Sequence, residues 1–119
     1  MAEPTLYLFD GFNLLHAGDF GSTSELRDLL AGWVAMKGAR GVLVFDGHGD
    51  DEQHGPLEVR FAPDADALIE RLAAEHRAGE QVAVVSSDEA VRGTSGPEVR
   101  KLSSRMFLRE LARDRKSVV

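Results

Sequence analysis

The sequence predicts a three-layer, doubly wound α/β domain whose mainly parallel sheet has four to five strands. Three observations lead to this prediction. Short apolar runs recur along the chain, segments with helical spacing of apolar residues separate them, and residues 1–119 suffice for a single domain with one hydrophobic core. Strands buried on both faces have continuous apolar sequences, and parallel strands need helical connections. Right-handed connections of this kind cover both faces of the sheet.

The first half of the chain predicts two buried strands with a helix between them. Thr5–Phe9 and Val42–Phe45 are apolar, and the turn pair Asp-Gly directly follows each of them. Ser22–Met36 has apolar side chains at helical spacing, with Thr23 or Ser24 as the candidate N-cap. These apolar side chains are Leu26, Leu29, Leu30, Trp33 and Val34.

The second half predicts two more strands and two more helices. His48–Pro56 is polar and Gly-rich, which indicates a loop, and Leu57–Phe61 alternates apolar and charged residues as an edge or half-buried strand does. A helix is predicted from Ala65 to about Arg77, and Gln81–Val85 is another apolar strand. The last helix is predicted from about Glu98 to Arg113. Its packed side is predicted to be Val99, Leu102, Met106 and either Leu108 or Leu111.

The charge of the chain is unevenly distributed. The formal net charge of −6 taken as a total argues against a nucleic-acid partner. However, residues 92–116 contain eight basic and three acidic residues, a net +5, which leaves −11 for residues 1–91. Two interpretations of the basic segment are equally compatible with the sequence. It is either a solvated helix face or a basic surface beside an acidic site, where metal ions bridge the acids to a polyanion.

Several classes of protein are excluded or disfavoured by what the sequence lacks. Because there is no cysteine, a disulfide framework, a zinc ribbon and a thiol nucleophile are impossible. No apolar run approaches the roughly 18 residues of a membrane span. The segment Met1–Thr5 lacks the basic region that opens a secretory signal. We therefore expect a cytoplasmic protein with no membrane partner.

Carboxylates recur where the predicted strands end. Asp10 and Asp46 follow the first two strands, Asp88 follows the strand at residues 81–85, and Asp64 and Asp66 begin the helix after residues 57–61. Each acid alone is explained by a turn or a helix N-cap. Together they are expected to meet at the carboxyl edge of the sheet, where ligands bind in open α/β folds. Oxygen donors without cysteine favour Mg²⁺ or Mn²⁺ over zinc, and such ions activate water for phosphodiester cleavage.

The order of these motifs resembles the NYN domain, in particular the YacP-like branch of the PIN-like nuclease superfamily. Leu6–His16 is similar to the family's opening strand followed by Asp-Gly-Tyr-Asn, a hydrophobic pair and His, with Phe12 in place of the usual Tyr. Five further segments follow in the family's order and extend the resemblance over nearly the whole chain. They are Val42–Asp46, Pro63–Glu70, Val84–Asp88, Gly93–Gly96 and Arg100–Leu111.

The resemblance implies a metal-dependent endoribonuclease that acts on single-stranded regions of RNA. It implies that Asp10, Asp66 and Asp88 are the central carboxylates of a Mg²⁺ or Mn²⁺ site, with Asp46 and Asp64 as less secure members of the metal-binding set. A catalytic role for Asn13, which would position metal-bound water or a phosphate, is implied as well. The chain is shorter than typical members of the family, mainly after His16 and around residues 47–56.

Three arginines are candidates for binding the substrate. Arg92, Arg100 and Arg105 follow the Ser-Ser-Asp strand end and so lie near the predicted acidic site, although a solvated helix face explains each of them equally well. The alternative function is a non-catalytic module that binds RNA or the ribosome. A phosphotransfer domain is disfavoured, because Asp88-Glu89-Ala90 after the last predicted strand contains no Lys and neutral residues follow Asp10.

Overall fold

A six-stranded sheet forms the centre of the molecule in the computed structural model, which describes residues 3–89 and 96–116. Its strands are β1 (Leu6–Asp10), β2 (Arg40–Asp46), β3 (Glu52–His54), β4 (Leu57–Ala62), β5 (Val82–Val85) and β6 (Arg100–Leu102). Their order across the sheet is β3-β4-β2-β1-β5-β6. Neighbouring strands are parallel except β3, which runs antiparallel to β4.

Four helices in the described part of the chain cover the two faces of the sheet. They are α1 (Gly11–Ala17), α2 (Thr23–Met36), α3 (Ala65–His76) and α4 (Ser104–Lys116). Successive residues of β1 point to opposite faces, so Tyr7 and Phe9 pack with α1, α2 and α4, whereas Leu6 and Leu8 pack with α3. None of the described helices has the length and apolar character needed to cross a bilayer. The predicted three-layer α/β architecture is confirmed.

The number of strands was predicted too low, because β3 and β6 have only three residues each. β3 lies inside the segment that was predicted to be a loop, and β6 lies where the last helix was predicted to begin. The polar sequence of β3, Glu-Gln-His, has no apolar alternation, since this strand forms the sheet edge and its side chains are largely exposed. Backbone pairing with one neighbouring strand is enough to form such short strands, and this pairing leaves no pattern in the side chains.

The last helix begins at Ser104 rather than at about Glu98, and this shift corrects its packed side. Ser103 caps the helix, because its Oγ accepts a hydrogen bond from the backbone N–H of Met106 at 3.1 Å. Met106, predicted to be packed, is 58% exposed, whereas the next residue, Phe107, is completely buried. Of the two alternatives left open for the packed side, Leu111 is the buried one.

The first helix was not predicted, because Asp10-Gly11 was interpreted as a turn. Gly11 is instead the first residue of α1 and lies directly on the second strand. A Cβ atom at Gly11 would be 2.5 Å from Cδ1 of Phe45 and 2.8 Å from the carbonyl oxygen of Val44. Only glycine lets the helix begin at this distance from β2, which brings α1 close to the carboxyl edge of the sheet.

Two glycine substitutions test this close approach. Gly11→Ala is expected to lower the free energy of unfolding by about 1–3 kcal/mol, because the new methyl group meets a ring and a backbone oxygen. Gly32→Ala, in the exposed interior of α2 with no atom within 4 Å of the added Cβ, is expected to raise it by about 0.5–1 kcal/mol. Urea denaturation measures both, and a Gly11→Ala protein as stable as the parent would contradict the close packing.

Candidate active site

The carboxyl ends of four strands, or the segments that follow them, bring five aspartates to one edge of the sheet. Asp10 and Asp46 are the last residues of β1 and β2, which are parallel neighbours. Asp88 follows β5, the parallel neighbour of β1 on its other side, and Asp64 and Asp66 lie at the start of α3 after β4. The parallel direction of these strands is the reason that acids distant in sequence share one edge.

Asp10 is held by a buried hydrogen bond. It is 8% exposed, and its Oδ2 accepts a hydrogen bond from the hydroxyl of Ser86 at 2.7 Å. The Oγ of Ser86 in turn accepts a hydrogen bond from the backbone N–H of Asp88 at 3.0 Å. Ser86 therefore links the carboxylate of Asp10 to the backbone that carries Asp88, which fixes two of the predicted metal ligands relative to each other.

Asn13 forms a second link, which joins α1 to the segment after β5 and to α4. Its Oδ1 accepts hydrogen bonds from the backbone N–H of Ser87 at 3.0 Å and from the hydroxyl of Ser104 at 2.5 Å. The backbone N–H of Ser104 donates to the Oγ of Ser87 at 3.1 Å. The first turns of α1 and α4 and the end of β5 are thus joined by one polar network, in which the carbonyl oxygen of the Asn13 side chain accepts both bonds.

Sequence reasoning missed the serines that hold Asp10 and Asn13 in this network. Asp10, Ser86 and Ser104 are the buried polar or charged residues of the described chain, and all three belong to the network. Serine is common in turns, so neither position stands out by composition. The available signal was position: Ser86 directly follows a buried strand, and Ser104 opens the last helix. Buried polar side chains with satisfied hydrogen bonds rigidify the structure around them.

Asp46 and Asp64 bind the amino terminus of α3. Oδ1 of Asp46 accepts a hydrogen bond from the backbone N–H of Ala65 at 2.8 Å, and Oδ1 of Asp64 accepts one from Ala67 at 3.2 Å. Two of the first backbone donors of the helix are therefore satisfied by carboxylates. These bonds fix the start of α3 and with it Asp66, which is only partly exposed.

Burial and neighbouring carboxylates raise the pKa of two of the aspartates, Asp10 and Asp66. Burial, followed by repulsion from Asp88, Asp10, Asp64 and Asp46, raises the pKa of Asp66 from 3.8 to about 6. Burial also raises the pKa of Asp10, and Asp46 and Asp88 add to this, although hydrogen bonds from Ser86 and Asn13 oppose it. The neighbouring carboxylates therefore destabilise the charged forms of Asp10 and Asp66, which is the electrostatic condition that a bound cation relieves.

The chemistry of the donors fits a hard divalent cation, since all five are carboxylate oxygens. Within residues 3–89 and 96–116, however, no three His, Asp or Glu side chains are grouped closely enough to hold one metal ion. The aspartates are thus neighbours that repel one another rather than a preformed set of ligands. Asp10 is the most firmly placed of them, because it is buried and hydrogen-bonded.

The raised pKa of Asp66 predicts how stability depends on pH in EDTA. The folded protein binds the proton on Asp66 more tightly than the unfolded chain does, so the free energy of unfolding should fall as pH rises from about 4 to about 6. Asp66→Asn should make this fall shallower and should be more stable than the parent at neutral pH. Urea denaturation across this range measures the effect, with Asp19→Asn, an exposed loop residue, as the control. Equal pH profiles for parent and Asp66→Asn would contradict the prediction.

The three candidate arginines differ in their placement. Arg105 is exposed and directly follows Ser104, which contacts Asn13, so it lies beside the network. Arg100 is the first residue of β6 and pairs with Ala83, two residues before the end of β5, so the structure does not bring it to the carboxylates. It lines a cavity with Pro4 and Gln81 instead. Arg92 lies outside the described residues.

The mainly parallel sheet and the helices on its two faces have the PIN-like fold of YacP/NYN proteins. Residues 7–119 match the family model described as the YacP-like NYN domain, and the chain belongs to this family. The fold is similar to a crystal structure of Rae1 (YacP) from Bacillus subtilis, with a TM-score of 0.76 and 28% sequence identity over 94% of this chain and 77% of that chain. No curated protein matched significantly.

Proposed function

We propose that this protein is a metal-dependent endoribonuclease that cleaves single-stranded RNA. The observation that carries the proposal is the convergence of five aspartates at one edge of the sheet, where the other four repel the charge of Asp66 and where Asp10 is buried and hydrogen-bonded to Ser86. A protein keeps such an electrostatically unfavourable cluster when a cation uses it. Membership of a nuclease family supports the same reading, since enzymes of this class generally use divalent metals.

In this proposal Asp10, Asp66 and Asp88 hold Mg²⁺ or Mn²⁺, and Asp46 and Asp64 contribute to the same negative site while they cap α3. The ion, when bound, lowers the pKa of a water molecule and neutralises charge that develops on the phosphodiester. Ser86 orients the carboxylate of Asp10 and sets its distance from the Asp88 backbone. The protein thus supplies carboxylate oxygens at the end of the sheet, of which those of Asp10 are the most firmly held.

Asn13 and the arginines are assigned to the substrate. The Oδ1 of Asn13 is occupied by two hydrogen bonds, so its side-chain NH₂ group is the part that would donate to a phosphate oxygen or to water. Arg105, exposed beside Ser104, is proposed to contact RNA phosphates, and the contacts proposed for Arg92 and Arg100 rest on the sequence alone. We further propose that the 119 residues act as one domain in the cytoplasm, on free or ribosome-bound RNA.

The test is cleavage of a labelled single-stranded RNA by the purified protein. We expect internal cuts in the presence of Mn²⁺ or Mg²⁺, none in EDTA, and little cutting of the same sequence in a perfect duplex. Recovery of cleavage when Mn²⁺ is added back after EDTA separates metal dependence from loss of fold. Cleavage at the same rate in EDTA would contradict the metal, and equal cleavage of duplex and single strand would contradict the substrate class.

A row of arginines favours a second function, a module that binds RNA without cleaving it. Arg105, Arg109 and Arg113 are all exposed and follow one another at intervals of four residues, so they lie on one side of α4. Such a row binds phosphates electrostatically and needs no metal ion. This function predicts RNA binding that is unchanged by EDTA. When the three arginines become alanine, the slope of the logarithm of the binding constant against the logarithm of the salt concentration should fall in magnitude by about three.

A further inference from the structure

An exposed aromatic pair lies next to the acidic edge of the sheet. Among the described residues three large apolar side chains are exposed, and Phe12, at 36%, is the aromatic one. It is two residues after Asp10 and one before Asn13, in the first turn of α1. His16, one helical turn later, is also exposed, and the two rings are nearly parallel, with an angle of 24° and centroids 6.3 Å apart.

The ring of Phe12 packs on an aromatic side chain of β2, which in turn packs on one of β4. Phe12 contacts Phe45 edge to face, with the centroids 4.9 Å apart, and Phe45 stacks on Phe61 at 5.7 Å. Phe45 is itself 3% exposed and lies directly under Gly11. The position of Phe12 is therefore fixed by the buried part of the sheet, while part of its ring remains open to solvent.

We propose that Phe12 and His16 form a stacking surface for an unpaired nucleobase of the RNA substrate, an inference that rests on the proposed ribonuclease function. Phe12 lies two residues after Asp10, in the helical turn that directly follows β1, so an RNA strand whose phosphate lies at Asp10 passes close to α1. Aromatic rings bind bases of any sequence, since every base has a flat π-face. A rigidly held ring binds with little loss of conformational freedom.

The same surface supplies a physical reason for selecting single-stranded RNA. Bases within a duplex are already stacked on their neighbours and cannot lie on a protein side chain, whereas unpaired bases can. Stacking at Phe12 would favour single strands without reading sequence. The carboxylates attract metal ions and cannot make this distinction themselves, because the phosphates of paired and unpaired strands carry the same charge.

The first experiment compares variants of Phe12 in RNA binding. Binding of a fluorescently labelled single-stranded RNA is measured by anisotropy in the Asp10→Asn background, so that the RNA stays intact. Phe12→Leu, which keeps an apolar contact with Phe45, should bind about tenfold more weakly, and Phe12→Tyr, which keeps the ring, should bind as the parent does. His16→Ala, an exposed change that leaves the core intact, should weaken binding by a smaller factor. Met106→Leu, an exposed apolar change on α4, is the matched control.

A second measurement removes the base instead of the ring. A series of RNAs is used in which a single abasic nucleotide occupies successive positions. At one position the missing base should weaken RNA binding by the parent, whereas it should have little further effect on RNA binding by Phe12→Leu. Equal losses for both proteins at every position would overturn the proposal, as would unchanged RNA binding by Phe12→Leu or no binding of single-stranded RNA by the parent. Phe12→Tyr as weak as Phe12→Leu would also overturn it.

The outcome is separable from that of the proposed function. Metal-dependent cleavage by the wild-type protein together with a Phe12→Leu variant that binds and cuts normally would reject the stacking surface and leave the nuclease. Ring-dependent and base-dependent binding without any cleavage by the wild type would reject the nuclease and leave the stacking surface as part of an RNA-binding module.

Discussion

Asp10→Asn is expected to reduce Mn²⁺-dependent cleavage of single-stranded RNA by at least about 100-fold while the protein stays folded. The amide keeps an oxygen that can accept the hydrogen bond from Ser86, which preserves this link to the segment after β5. Burial raises the pKa of Asp10, which means that its charge is unfavourable in the folded protein. The neutral variant is therefore expected to stay folded in EDTA, and circular dichroism of the variant distinguishes lost activity from unfolding.

A second readout of Asp10 is independent of activity. Mn²⁺ should raise the melting temperature of the parent at neutral pH, because it binds the folded state, and this rise should be strongly reduced in Asp10→Asn. Asp88→Asn should behave similarly. Asp28→Asn is the control, since Asp28 is exposed and forms an ion pair with its neighbour Arg27. Wild-type cleavage rates in both Asp10→Asn and Asp88→Asn would reject the proposed metal site.

Phe107→Ala is expected to lower the free energy of unfolding by about 3–5 kcal/mol. The ring of Phe107 is completely buried and contacts Phe9 and Trp33 with centroid distances of 5.3 and 4.9 Å. Removing it leaves a cavity between α4 and the sheet that neighbouring rings fill only in part. Urea denaturation followed by circular dichroism gives the difference directly.

The adjacent residue is a matched control for this prediction. Met106 is 58% exposed, so Met106→Ala should change the free energy of unfolding by less than about 0.5 kcal/mol. If Phe107→Ala is too unstable to study, Phe107→Leu should give a smaller loss with the same sign. Similar losses at positions 106 and 107 would contradict the register of α4 and with it the position of Ser104 beside Asn13.

The central strands and the helices α2 and α3 follow from the sequence because side-chain burial dictates their patterns. β1, β2 and β5 are buried on both faces, so each is a continuous apolar run that has few other interpretations. The short edge strand β3 has no such signal. The register of α4 was missed because Val99 and Leu102, which suit a helix at their spacing, belong to the segment that leads into and forms β6.

The candidate site, like the fold, could be predicted from the sequence only in part. Its aspartates are visible in the sequence because strand ends are visible, and parallel strands bring their ends together. Ser86 and Ser104 cannot be recognised in the sequence, because their role is to form hydrogen bonds with Asp10 and Asn13, which are more than 70 residues away along the chain. The same holds for the exposure of Phe12, which depends on how α1 lies on Phe45. Long-range partners of short polar side chains leave no periodic trace in a single sequence.

Trp33 provides the protein with an intrinsic fluorescent reporter. It is the one tryptophan of the chain, and its Nε1–H donates a hydrogen bond to Asp114 on α4 at 3.1 Å. Lys37 lies 5.5 Å from its ring centroid, and Phe107 packs against it edge to face. Detachment of α4 would expose the indole to water and shift its emission to longer wavelength. Emission spectra recorded during an RNA titration therefore show, without any label, whether the arginine-bearing helix stays docked when substrate binds.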